Sequence, residues 1–128
     1  MKNNILVLAA HPDDEVLGCG GTIAKYVSQG DFVHVAFISD GVFSRQGDEV
    51  ALAKELESRR SAAYSALSIL GVTSISFGEF PDNRLDTVAT IEVAQMIEAL
   101  ITEHQPKVVL THHCGDVNVD HKMVHEAS

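Results

Sequence analysis

The chain has 128 residues, 45% of them apolar, a formal charge of −9 and two cysteines. That length suits one domain, residues 1–128, with a core of ordinary size. The acidic balance argues against nucleic acid as a partner, and the lack of an apolar run of about 18 residues argues against a membrane span.

The start, "MKNN", runs directly into a strand-like segment without the apolar core of a signal peptide, so a cytoplasmic location is the expectation. Cys19 and Cys114 are then expected reduced. Ile5–Ala9, "ILVLA", is a continuous apolar strand. Val16–Gln29 has helical spacing, with Val16, Gly20, Ile23 and Val27 on one stripe, and Gly30-Asp31 ends it. Phe32–Ser39, "FVHVAFIS", is a second strand, followed by a loop over Asp40–Gly47. Glu49–Leu70 is helical, with Gly71 at the C′ position. Val72–Phe77 is a short strand and Gly78–Asp86, "GEFPDNRLD", a loop. Thr87–His104 is a third helix, capped by Thr87 or Asp86, and Lys107–Thr111 a fourth strand. After "HHCGDVNVD" a helical end begins at His121.

Strands alternating with helices predict a three-layer α/β/α, Rossmann-like domain with a mostly parallel sheet. The chain stops in the first turns of an amphipathic helix, so the sheet is expected to be incomplete at its C-terminal side, either the N-terminal portion of a longer domain or one completed by a partner. In such folds ligands sit beyond the carboxyl ends of the strands. "AHPDDE" follows the first strand and "THHCGDVNVDH" the fourth, so two polar clusters emerge at one edge.

Proline in "HPDDE" suits the first turn of a helix, where acids also complement the helix dipole. That accounts for the acids but not for His11, nor for a second His/Asp cluster at the same edge. Histidine and carboxylate are the ligands of a catalytic Zn²⁺ with three protein ligands and an open position. Consecutive helical residues point about 100° apart, so Asp13 and Asp14 divide the work: one coordinates, its neighbour serves as a base. His11 supplies a second ligand and the loop at Asp120-His121 a third.

"AAHPDDEVLGCGGTIAKYVSQG" and "THHCGDVNVDHKMVHEA" resemble the LmbE/PIG-L family of zinc-dependent deacetylases, which remove acetyl from N-acetylglucosamine-type groups. The resemblance implies an N-deacetylase with Zn²⁺, or another divalent ion, as cofactor and a small-molecule amino sugar as substrate. It implies metal ligands His11, Asp14 and His121, with Asp13 as general base and Asp120 orienting a neighbouring group. Many members carry histidine where this chain has Asn118, which donates a hydrogen bond but transfers no proton. His112 or His113 then assists the leaving amine; the expected catalytic set is Asp13, Asp120 and His113, with the choice between the two histidines open. Asn83, Arg84 and Asn118 are the expected substrate contacts, Arg84 by likeness to a sugar- or phosphate-contacting arginine of the family, with a plain solvated turn at "FPDNRLD" the equal alternative. Members are longer than this chain. The oligomeric state, a homo-oligomer included, is open.

Other features have plainer readings. Gly18, Gly20 and Gly21 resemble a dinucleotide loop but lie inside a helix, so close packing on the sheet is expected. His34, in a strand, and His104, at a helix end, are expected to be structural. Arg59 and Arg60 snorkel or make a buried pair, and His125 and Cys114 stay outside the site. Two rivals stand beside the hydrolase: a non-catalytic metal- or nucleotide-sugar-binding module, and a phosphoesterase, the latter disfavoured by few basic residues near the site.

Overall fold

The structure, a computed structural model, describes residues 2–39, 49–80 and 84–128. The loop expected at Asp40–Gly47 and the expected contact Asn83 lie outside those residues. In chain order come β1 (Asn4–Ala9), α1 (Asp14–Ser28), β2 (Phe32–Ser39), α2 (Glu49–Ile69) and β3 (Ser74–Phe80). A 3₁₀ turn at Leu85–Thr87, α3 (Thr90–His104), β4 (Val108–Leu110) and α4 (Val119–Ala127) follow.

The four strands form one sheet in the order β3-β2-β1-β4, and every pairing is parallel. Successive strand residues face opposite sides. Ile5, Val7, Ala9, Val33, Val35 and Phe37 therefore pack on Ile23 of α1 and on Ala63 and Leu67 of α2. Leu6, Leu8, Ala10, Ala36 and Ile38 pack the other way, on Val93, Ile97 and Leu100 of α3 and Val124 of α4. Both faces are covered, which is why β1 and β2 read as near-continuous apolar runs, broken within β2 by His34. The result is the expected three-layer α/β/α, Rossmann-like arrangement.

Gly71 fills its expected place after α2, with φ 86°. The Val72 N–H donates to Leu67 O at 2.8 Å and the Gly71 N–H to Ser68 O at 3.0 Å, closing the helix. Elsewhere the elements shift. β3 runs on through "GEF", expected as loop, because Gly78 lies against β2: a Cβ there would strike the carbonyl oxygen of Ile38. Leu85–Thr87 coil into the 3₁₀ turn, which moves the start of α3 to Thr90.

The close packing expected of Gly18, Gly20 and Gly21 is not found. A Cβ would meet nothing within 4 Å at Gly18 or Gly21, and at Gly20 only the Val16 side chain. The glycines flank a kink instead, with Cys19 at φ −146°, ψ 24° inside α1.

β1 lies between β2 and β4. The chain leaves β1 through α1 for one side of the sheet, while β4 arrives from the other through α3. A crevice opens at that switch point, beyond the carboxyl ends of β1 and β4.

Candidate metal centre

His11 and Pro12 follow β1 directly, and the chain turns into α1 at Asp14. Across the crevice, β4 leads into His112, and the loop to α4 carries Asp116 and Asn118. Asn118 is the N-cap of α4: its Oδ1 accepts the N–H groups of Asp120 at 2.9 Å and His121 at 3.3 Å. The cap fixes the first turn of α4, and that turn presents Asp120 and His121 to β1. Leading residues separated by more than a hundred positions thus meet at one point.

His11 Nε2 lies 2.7 Å from Asp120 Oδ2 in a buried contact. A carboxylate only accepts, so the ring donates from Nε2 and its Nδ1 presents a lone pair. That Nδ1 stands 3.3 Å from Asp14 Oδ2. His121 repeats the pattern: its Nδ1 donates to Asp116 Oδ2 at 2.9 Å, and its Nε2 stands 3.0 Å from Asp14 Oδ2. The His121 Nε2 is buried and has no hydrogen-bond partner. Two imidazole lone pairs and a carboxylate converge, and acceptors converge only around positive charge. His11, Asp14 and His121 each offer a ligand atom within 4.8 Å of the others. Two histidines and a carboxylate, each histidine gripped from behind by an aspartate, fit the donor set and the surroundings of a catalytic divalent ion.

Asp120 is fully buried. Its second oxygen accepts the Leu85 N–H at 2.9 Å, tying the 3₁₀ turn to the centre. Burial pushes the Asp14 carboxyl up, but its contacts with His11, whose backbone N–H donates to Asp14 Oδ2 at 2.9 Å, and the nearness of His121 outweigh it and hold Asp14 below its ordinary value. Asp13 moves the other way, raised by burial and by the adjacent Asp14. Hydrogen bonds from the Asn118 N–H and the His121 ring hold the half-buried Asp116 carboxyl low.

The expected residues do not all meet here. His112, rather than His113, stands against the centre: its Nε2 is 3.7 Å from Asp14 Oδ2, and its ring stacks on His121 with centroids 3.9 Å apart. The Ala10 N–H donates to that same Nε2 at 2.9 Å, so the neutral ring keeps its proton on Nδ1. Burial and the neighbouring His121 lower the His112 pKa. His113 is exposed on the wall of the same hollow, of about 630 Å³, which His112, Asp14 and Glu15 also line. Asn118 spends its Oδ1 on the cap, leaving only its amide NH₂ for the expected substrate contact. Arg84 is exposed and begins the 3₁₀ turn; no hydrogen bond or ion pair described for the centre involves it.

Asp13 is not in the first turn as expected. It is the N-cap of α1, in the left-handed region at φ 110°, ψ −28°. The divergence of Asp13 from Asp14 therefore comes from that backbone twist rather than from helical pitch. Asp116 and Glu15 are partners the pattern of residues did not single out. The only hint of Asp116 is its place five residues before His121 on a tight loop.

The fold and the site together define a class of scaffold: a Rossmann-like parallel sheet with a His/Asp donor set and an adjacent carboxylate at its switch point. The chain matches, over residues 6–128, the family model described as PIG-L, GlcNAc-PI de-N-acetylase, and belongs to that family. It is 35% identical over 111 residues to the diacetylchitobiose deacetylase of Thermococcus kodakarensis, covering 83% of this chain and 39% of that protein. Its fold is like that of N,N'-diacetylchitobiose deacetylase from Pyrococcus horikoshii, with a TM-score of 0.85 at 23% identity, covering 98% of this chain and 47% of that one. It is also like GalB, the 4-carboxy-2-hydroxymuconate hydratase of Pseudomonas putida KT2440, with a TM-score of 0.80 at 32% identity, covering 99% and 55%. The chain spans about half the length of these relatives.

Among the described residues no helix is long and apolar enough to cross a membrane, and both cysteines are free.

Proposed function

We propose that the chain carries the catalytic half-site of a metal-dependent N-deacetylase acting on N-acetylglucosamine-type amino sugars. The observation that carries this is the meeting of the His11 Nδ1, the His121 Nε2 and Asp14 Oδ2, acceptors that need a cation between them. Membership of a de-N-acetylase family supports the amide as substrate and the amino sugar as its carrier. His11, Asp14 and His121 would hold Zn²⁺ or another divalent ion. When bound, such an ion acidifies water and polarises a carbonyl oxygen.

The chain's own groups do the rest. Asp13, exposed beside the centre, takes a proton from the attacking water. The new C–O bond forms as the C–N bond breaks, and that proton goes on to the leaving nitrogen, giving acetate and a free amine. His112, stacked on His121 with its Nε2 held by the Ala10 N–H, stands beside the centre to assist the leaving amine. Asp120 and Asp116 fix the tautomers of His11 and His121.

The test is amine release from an N-acetylglucosamine conjugate, with and without added zinc. Asp13→Asn should retain the ion and lose at least about a hundredfold in turnover; retained activity removes Asp13 from the base role, and no amine release by the zinc-loaded wild type removes the deacetylase reading. A second reading, water addition to an unsaturated acid, is favoured by the 32% identity to the Pseudomonas hydratase. A 4-carboxy-2-hydroxymuconate-type acid consumed while no amine is released would establish it. A chain that binds zinc and does neither is a binding module.

A further inference from the structure

Asp13 holds a backbone conformation that its residue type disfavours, φ 110°. Such a residue is strained and persists only where its surroundings over-determine it. Its own carboxylate makes no capping bond to α1. Arg59 Nη2 stands 4.0 Å from Asp13 Oδ2, beyond hydrogen-bond reach, and donates instead to the Pro12 carbonyl at 3.3 Å. The side chain that reaches the Asp13 backbone is Glu15: the Asp13 N–H donates to Glu15 Oε2 at 3.1 Å.

Glu15 is an unusual residue to find there. It is 2% exposed, and its Oε1 is buried with no hydrogen-bond partner. Its side chain lines both the hollow beside β4 and a second one, of about 430 Å³, between α1 and α2. Burying a carboxylate is costly, and a leucine would fill the same space without that cost. Packing does not explain it; the bond to Asp13 does. The effect of the twist is visible in the two neighbours. The Asp13 side chain is 62% exposed, while that of Asp14 is 14% exposed and turned toward the histidines.

We propose that Glu15 is a positioning residue, which accepts the Asp13 N–H, holds Asp13 in its left-handed conformation, and so keeps the two adjacent carboxylates pointing apart. It touches no reacting atom. The inference rests on the deacetylase reading for its kinetic consequence, though not for the hydrogen bond itself.

Two variants separate the bond from the volume. Glu15→Gln keeps an acceptor in the same place; Glu15→Leu keeps the bulk and loses it. Glu15→Leu should lower kcat about a hundredfold, as small misplacements of a reacting group do. KM should stay within about twofold and metal stoichiometry unchanged, a loss confined to the transition state. Glu15→Gln should stay within about fivefold of wild type, its neutral acceptor being the weaker one. Hydrogen exchange at the Asp13 amide should accelerate about tenfold in the leucine variant, from the loss of one hydrogen bond, and hardly change in the glutamine variant. Equal exchange in both variants overturns the proposal, as does a loss that appears in KM or in metal content. Should the leucine variant not fold, the wild-type amide decides: exchange as fast as at exposed loop amides overturns the bond. If the wild type releases no amine, the deacetylase reading falls while the exchange comparison still settles Glu15.

Discussion

At the scale of single residues, the centre is built from pairs. Two of the histidines that face Asp14 are each held from behind by an aspartate, His11 by Asp120 and His121 by Asp116. The two aspartates differ in burial, and so in what their loss would do. Asp120 is fully buried and also holds the Leu85 N–H, so changing it disturbs packing and site together. Asp116 sits on a loop with its side chain 32% exposed, so its contribution is confined to the histidine and to the turn at Asn118. Asp116→Asn should therefore weaken zinc about 10- to 100-fold, the usual effect of losing a carboxylate behind a ligating histidine. The apo protein should unfold at nearly the wild-type denaturant concentration. Competition with a chromophoric chelator reads the first quantity, and a urea titration the second. Unchanged zinc affinity would show that His121 needs no such partner. None of this pairing is visible in the residues alone. The meeting of a His/Asp cluster from two loops is legible in "HPDDE" and "DVNVDH", because those residue types have few other reasons to gather at a sheet edge. Which nitrogen faces the centre is not, since it depends on partners brought in by the fold.

At the scale of elements, the first turns of α1 and α4 do the positioning, by different means. α4 uses an ordinary side-chain cap. Asn118→Ala should cost about 1 kcal/mol of stability, the common value for a lost N-cap. It should also weaken metal binding, because the two N–H groups it releases are those of Asp120 and His121. A urea titration with metal removed and a zinc titration measure the two effects; a stability loss with unchanged zinc affinity would disconnect the cap from the centre. The helical spacing after His121 places this element nearly where it lies, two residues late, because the pattern presents its cap, Asn118, as a substrate contact. α1 was legible as a helix but not in its entry. A proline before acids suggests an ordinary first turn, whereas the chain passes Asp13 in the left-handed region, held by Glu15 two residues on. Periodicity ends β3 at Phe77, short of Phe80, for a similar reason: the value of Gly78 lies in the Ile38 carbonyl beside it, which periodicity does not contain.

At the scale of the whole molecule, parallel order and layering follow from alternation of apolar runs and helical stripes, and both were legible. The consequence for stability is set at the opposite edge of the sheet from the centre. His34 of β2 is 4% exposed. It lies between the Ser74 and Ser76 hydroxyls, at 2.6 and 2.9 Å, and stacks on His104 with centroids 3.9 Å apart. Burial, reinforced by the positive charge of a protonated His104, lowers its pKa from the ordinary 6.5 to about 4, with Glu103 opposing weakly. Because the folded value is the lower one, the unfolded chain binds the proton first. Stability from His34 is complete above the ordinary value and drains away as pH falls toward about 4. Each pH unit inside that window is worth at most about 1.4 kcal/mol, so roughly 2 kcal/mol should vanish between neutral pH and pH 5. Urea titrations at a series of pH values with a chelator present should show that loss in the wild type. His34→Gln starts less stable, since it gives up a packed ring, but its slope over the same range should be less than about half as steep. His112, whose pKa is also lowered, supplies part of what remains, while Asp14 and Asp116 act only in stronger acid because their carboxyls sit below the ordinary value. Parallel curves for the two proteins would move the acid sensitivity away from β2 and into the centre.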